Sequence, residues 1–304
     1  MGGGLATGAL AAAVTNAGGL GTIGLLPPEI LRSELAAARE QTTGPLAINL
    51  IVPMARAEHW RVAAEADVIV THWDLRPRRR APGYWIQTVG TAQAARDAVA
   101  AGADAVIAQG VESGGHVIGT LPALALLEQV LAAVPDGFPV LVAGGIATRV
   151  DVQTVLDAGA VAAVAGTRFL ASEESGAHPA YKQRLLDEDA TVLTELFGMG
   201  WPHAPHRVLQ NAATRRWLQE DPRGPGRIRR LHAALTPVVR WTPQGLQGNL
   251  MMRPASGPFD LTPAAPTVGM PEATVETHAL YAGDTVARVH DIRPAEQIVR
   301  DLTP

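Results

Sequence analysis

The chain has 304 residues, 47% of them apolar and 18% charged, with a net charge of -4 and no cysteine. That length and composition support one α/β barrel with an appended region and a large core. The weak negative charge offers no basic field to a nucleic acid backbone; lack of cysteine excludes disulfides, thiolate metal sites and cysteine nucleophiles and fits a reducing cytoplasm.

Met1-Gly2-Gly3-Gly4 reads as the end of a strand and the glycine loop after it. This places the first strand of a barrel upstream of Met1 and leaves its two neighbours with unpaired edges. Leu5 to Ala17 follows as a packed helix. No Lys or Arg precedes it and Thr7 and Gly8 interrupt it, unlike a signal-peptide core. No stretch reaches the ~18 consecutive apolar residues of a membrane span. The glycines of Asn16 to Gly24 lead into a strand instead of following one, so they mark a helix exit and not a dinucleotide fingerprint.

Short β-branched runs then alternate with Ala-rich helical segments, the pattern of βα units around a parallel sheet. Strands are expected at Leu20 to Ile23, Leu46 to Ile51, Asp67 to Thr71, Trp85 to Val89, Ala105 to Ala108, Val140 to Ala143 and Ala162 to Ala165. Helices are expected at Glu29 to Glu40, Ala92 to Ala101, Leu121 to Val134 and Asp151 to Ala158. The expected fold is a TIM-type (β/α)8 barrel lacking its first strand, over residues 1–189, followed at 190–304 by a mainly helical and loop region that covers the active site. Arg76, Arg78, Arg79 and Arg80, beside Pro77 and Pro82, read as a solvated loop, and Pro254 to Pro271 as an extended mobile stretch. Pro294 to Leu302 reads as a helix packing back on the barrel.

The strongest chemical signal is a pair of glycine turns, Gly144-Gly145 and Gly166-Thr167, at the ends of the last two strands, about twenty residues apart. Glycine lets backbone N–H groups converge on an anion, a short helix adds its positive end, and the Thr167 hydroxyl is a further donor; the pair predicts a phosphate site. Arg168 can meet phosphate or pair with Glu173 or Glu174, the latter being the expected arrangement. After the fifth strand, Gly114 and Gly115 permit close approach of a flat ring and present His116 beside it. Its imidazole can take a proton from an acidic carbon or hold an anionic substrate. Gln109 can serve a bound ring or a buried backbone group. Asn49, a lone amide in an apolar strand, needs a partner that a ring edge would supply. His72 and Trp73 end a strand and are candidates for the pocket mouth. The other histidines, His59, His178, His203, His206, His232, His278 and His290, lack the paired spacing of a metal site, and no metal is expected.

With Asn16 to Gly24, Ile48 to Pro53, Gln109 to His116, Ala143 to Ile146, Gly166 to Leu170, Ala177 to Lys182 and, more loosely, Tyr281 to Thr285, the chain resembles the nitronate monooxygenase family, once called 2-nitropropane dioxygenases. The resemblance implies an FMN barrel that oxidises alkyl nitronates with O2 to a carbonyl compound and nitrite. It makes His116 the catalytic residue and Asn49, Gly115, Gly144, Gly145, Gly166 and Thr167 FMN contacts. Gln109 and Gly114 join them as cofactor-binding candidates, and His72, Trp73 and Thr285 are the candidates for the substrate pocket. Small molecules are the expected partners, with a homodimer kept open. Three features depart from the family pattern: the cut-back first strand, Gln87 and Thr88 where Lys or His is frequent, and Asp284 and Thr285 where Gln and Ser are common. A flavin-dependent enoyl-acyl-carrier reductase looks similar through the Gly-Gly-His and Gly-Thr-Arg-Phe motifs, and a flavin-free or catalytically silent phosphate- or flavin-binding barrel is the reading of another class.

Overall fold

A computed structural model describes residues 1–75, 83–241, 261 and 263–304, without the side chains of 239–241. The Arg76 to Arg80 loop and, within the Pro254 to Pro271 stretch, residues 254–260 and 262 lie outside the described residues. The core of the molecule is a curled parallel sheet in the order β1 (Gly21–Ile23), β2 (Leu46–Ile51), β3 (Val68–His72), β4 (Tyr84–Val89), β5 (Ala105–Gln109), β7 (Val140–Ala143) and β8 (Ala162–Val164). All seven match expected strands, and the sheet is an open half-barrel, one strand short of a complete (β/α)8 barrel. Met1 to Gly4 form turns, with Gly3 N–H donating to Leu25 O at 3.0 Å.

Two apolar layers follow from the strand period of two. On the outer side, Leu46, Ile48 and Leu50 pack with Leu31, Leu35 and Ala38 of α2 (Pro28–Gln41) and Val62 of α3 (Ala57–Ala63). Further along the same side, Val106, Ala108, Val140 and Val142 meet Ala95 and Ala98 of α4 (Ala92–Ala100) and Leu126, Leu127 and Val130 of α5 (Ala123–Leu131). The alternate residues Ala47, Val68, Val70, Ile86, Ala105 and Ile107 fill the inside of the half-barrel. Thr91 and Thr148 cap α4 and α6 (Arg149–Asp157), and the C-terminal glycines Gly102 and Gly159 take positive φ values that end α4 and α6. The Gly18 turn does the same for α1 (Gly8–Asn16) before β1, as expected of a helix exit.

The later part of the chain contributes α7 (Thr167–Leu170), α8 (Pro179–Asp187), α9 (Ala212–Trp217), α10 (Gly226–Trp241) and α11 (Ala295–Leu302). It also contributes β9 (Thr191–Thr194) and β10 (His206–Leu209), which join the short β6 (Gly115–His116) in a three-stranded antiparallel sheet in the order β6-β10-β9. The pattern after residue 190 did not announce these strands. In α11 the buried Ala295, Ile298, Val299 and Leu302 recur at helical spacing, and Ala295 packs on Ala6 and Leu10 beside α1. No helix among the described residues is long and apolar enough to cross a membrane.

Candidate functional site

The inner face of the sheet changes character at its C-terminal rim. Below, its side chains are hydrocarbon; one period further along, Asn49 follows Ala47, His72 follows Val70, Thr88 follows Ile86 and Gln109 follows Ile107. Four neighbouring strands thus turn a polar ring toward the barrel mouth. The His72 Nε2 lies 3.2 Å from Thr88 Oγ1. Burial, reinforced by the N-terminal ammonium, holds the His72 pKa at about 3, so its ring is neutral. The Asn49 amide makes a long bond, 3.4 Å, to Val70 O and no other side-chain bond among the described residues.

His116 is delivered to this rim by a loop that Gln109 ties down. The Gln109 Nε2 donates to His116 O at 3.2 Å and its Oε1 accepts from Ile118 N–H at 3.0 Å, so this amide serves the backbone of the loop. Gly115 adopts φ 74°, which L side chains rarely take, and β6 then pairs His116 with His206 of β10. The His116 ring stacks on Trp201, centroids 3.9 Å apart, and lies 5.1 Å from His206 and 5.6 Å from Tyr281. Burial first, then the neighbouring His206 and His72, hold its pKa well below the ordinary value. The buried Nε2 of His116 has no hydrogen-bond partner among the described residues.

His206 differs. Its Nδ1 lies 2.9 Å from Ala204 O and its Nε2 accepts from Phe197 N–H at 3.2 Å, which assigns the proton to Nδ1 and leaves neither nitrogen free. Burial lowers its pKa to about 4. His116 is therefore the member of this histidine pair with an open valence.

The glycine turns lie side by side. β7 and β8 pair in parallel with Ala143 opposite Val164, so Gly144-Gly145 and Gly166-Thr167 leave the same end of adjacent strands. Gly144 and Gly145 have φ of 108° and 77°. Among the described residues, the N–H groups of Gly144, Gly145, Ile146 and Gly166 donate to no protein acceptor. A Cβ at Gly145 or Gly166 would meet nothing within 4 Å, so both open onto free space. The Thr167 hydroxyl accepts from Gly283 N–H at 2.8 Å and keeps its own hydrogen for a ligand. Free amides on two adjacent turns, with a spare Thr167 hydroxyl hydrogen and an unpartnered imidazole in the neighbouring loop, are what a phosphate-bearing ring compound needs, and the residues present fit FMN.

The C-terminal segment closes one side. A Cβ on Gly114 would stand 2.5 Å from Gly283 N, so Gly114 is small because backbone packs there. Arg288 reaches Asp151 at 2.5 Å and Gly145 O at 2.9 Å, fastening the turn Asp284–Arg288, which carries buried Thr285, to the cradle. Arg207 joins Val111 O at 2.7 Å to Asp284 at 2.7 Å. Trp73 lies in the left-handed region at φ 66°, its ring 5.3 Å from Trp201. Beside it a cavity of about 640 Å³ runs along Thr88, Gly90, Val117 and Ile118.

Arg168 forms an ion pair, but its partner is Asp291 at 2.6 Å and not Glu173 or Glu174. The reason is local: Glu174 accepts from Ala295 N–H at the start of α11, at 2.9 Å. Trp201, His206, Arg207 and Tyr281 also reach the site from the later region; the sequence alone points to no site role for them, although Tyr281 opens the loosely matching Tyr281 to Thr285 motif. Among the described residues no cluster of side chains is arranged to hold a metal ion.

The sequence profile of the nitronate monooxygenase family matches residues 1–76 and 75–304. A nitronate monooxygenase of Pseudomonas aeruginosa is 31% identical over 275 residues, 69% of this chain and 76% of that protein. A 5-hydroxy-7a-methyl-1-oxo-octahydro-1H-indene-4-carboxyl-CoA dehydrogenase of Mycobacterium tuberculosis is 36% identical over 217 residues, and the match spans 66% of this chain and 59% of that relative's length. Among solved structures, FabK from Thermotoga maritima superposes with a TM-score of 0.75 at 30% identity, covering 99% of this chain and 90% of that chain. The nitroalkane oxidase from Streptomyces ansochromogenes does so with a TM-score of 0.75 at 28% identity, covering 99% and 92%. With a match running over both halves of the chain, and with the motifs assembled on one rim, the protein belongs to the nitronate monooxygenase family and is a flavin-binding oxidoreductase of that fold.

Proposed function

We propose that the protein binds FMN and oxidises alkyl nitronates with O2 to a carbonyl compound and nitrite. The observation that carries this reading is the unpartnered Nε2 of His116, in the loop that packs on the first of two glycine turns with free amides. Gly144, Gly145, Gly166 and Thr167 would hold the phosphate, while Gly115 and Asn49 would face the ring. Gln109 would hold the His116 loop against it. Bound FMN supplies the electron acceptor that relays electrons to O2.

His116 decides what the site accepts. A neutral imidazole with a strongly lowered pKa is a weak base, poorly suited to pulling a proton from a nitroalkane carbon. It is well suited to donating a hydrogen bond to an oxygen of a substrate that arrives as an anion. The reading therefore favours nitronates over neutral nitroalkanes. Trp201 and Tyr281, packed about His116, exclude water from that contact.

A second reading, redox chemistry on an acyl thioester with a nicotinamide, draws on the name of the mycobacterial relative and on the cavity beside Trp73. An anaerobic mix of the flavin-loaded protein with propionate 3-nitronate, followed by air, separates the two. Loss of yellow colour, then its return with nitrite release, supports the first reading; bleaching by NADH alone supports the second. A preparation that stays colourless with added FMN rejects both in favour of a silent barrel.

A further inference from the structure

Ser113 lies where the His116 loop crosses the first glycine turn. Its backbone N–H is used, donating to Gly110 O at 3.1 Å, but its hydroxyl is not. The residue is 7% exposed, and its Oγ is buried without a hydrogen-bond partner. That oxygen stands 2.9 Å from the point a Cβ on Gly144 would occupy, so a side chain at Gly144 would collide with it. Gly144 leaves room for this hydroxyl, and the free amides of Gly144, Gly145 and Ile146 begin beside it.

A buried hydroxyl with no protein partner among the described residues gives up its hydration without a protein bond in return, and an alanine would fill the same place without that loss. A phosphate monoester dianion on the neighbouring amides would present oxygens that accept from it. We propose that the Ser113 hydroxyl is a side-chain donor to the phosphate of FMN, an inference that rests on the FMN reading above. It makes the cradle three-sided: the turn after β7, the turn after β8, and the loop that carries His116. One ligand group then fixes the imidazole loop relative to the flavin.

The test compares Ser113→Ala with the unaltered protein against FMN and against riboflavin, which lacks the phosphate, by quenching of flavin fluorescence. A charge-assisted hydrogen bond predicts an FMN Kd raised about tenfold or more, with riboflavin affinity unchanged. As a second readout, inorganic phosphate should raise the Tm of the flavin-free unaltered protein more than that of Ser113→Ala, whose own flavin-free Tm is unchanged or higher. An FMN Kd within about twofold of the unaltered protein overturns the proposal and assigns the hydroxyl to water. Equal losses for FMN and riboflavin also overturn it, since the change then acts on the loop and not on phosphate. If the unaltered protein binds no FMN, the flavin reading itself fails and takes Ser113 with it; if it binds FMN and Ser113→Ala matches it, Ser113 alone fails.

Discussion

The imidazole of His116 lies almost parallel to the indole of Trp201, with 18° between the planes and 3.9 Å between centroids. One face of the ring is thereby sealed from water by a residue of the later region, far away in sequence. The seal and the lowered pKa belong together, because burial is the main cause of that shift.

Trp201→Ala should let water reach the ring and move the His116 pKa up toward 6.5, the value of the free side chain. Followed by the NMR shift of the imidazole against pH, the protonation limb of His116 should move upward in Trp201→Ala, while Trp201→Phe should leave it near its original position. A limb that stays in place in Trp201→Ala would contradict the assignment.

His116→Ala removes the open Nε2 and no cradle group. It should lower kcat/KM for a nitronate by about 100-fold or more and leave FMN affinity within about threefold. A variant that keeps most of its activity would move the anchoring role to another residue.

Gly166→Ala separates the cradle from the fold. Gly166 has φ -115°, which alanine accepts, and its Cβ would enter open space, so stability should change by no more than about 0.5 kcal/mol. The added methyl would occupy the place of the phosphate, and FMN affinity should fall at least about tenfold by titration. Unchanged affinity would mean that the phosphate lies elsewhere.

Folding stability should fall as the solution is acidified from pH 7.5 to 5.5 (both about one pH unit from the free histidine value). His72, His116 and His206 all have folded pKa values below 6.5, so the unfolded chain takes up protons that the native chain refuses. Their stabilisation is complete above the unfolded pKa and is lost as pH drops below it. Three such groups give up to about 4 kcal/mol over this interval, measurable by guanidinium titration at the two pH values. A flat profile would show that these rings are solvated.

Much of this architecture is legible in the sequence, for physical reasons that also mark where legibility ends. The central barrel strands β2, β3 and β5 are runs buried on both faces over nearly their whole length, and the apolar content and turn signals of all seven announce them without any long-range information. Gly144-Gly145 and Gly166-Thr167 are readable because each follows such a strand directly. The β6-β10-β9 sheet is not readable. Its strands are two to four residues long, and β6 is extended because Gly115 turns the chain against Arg207. The same holds for the partner of Arg168, which lies 123 residues away at Asp291 while the nearer Glu174 is engaged by α11. Ser113 stands inside a legible motif, but only the packing against Gly144 shows that its hydroxyl is left over.

A crystal structure of the FMN-loaded protein tests the central claim most directly. Phosphate oxygens are expected within about 3.2 Å of the amide nitrogens of Gly145 and Gly166, with the flavin ring turned toward His116 Nε2. Phosphate bound away from these two turns, or a ring pointing out of the half-barrel with His116 untouched, would contradict it.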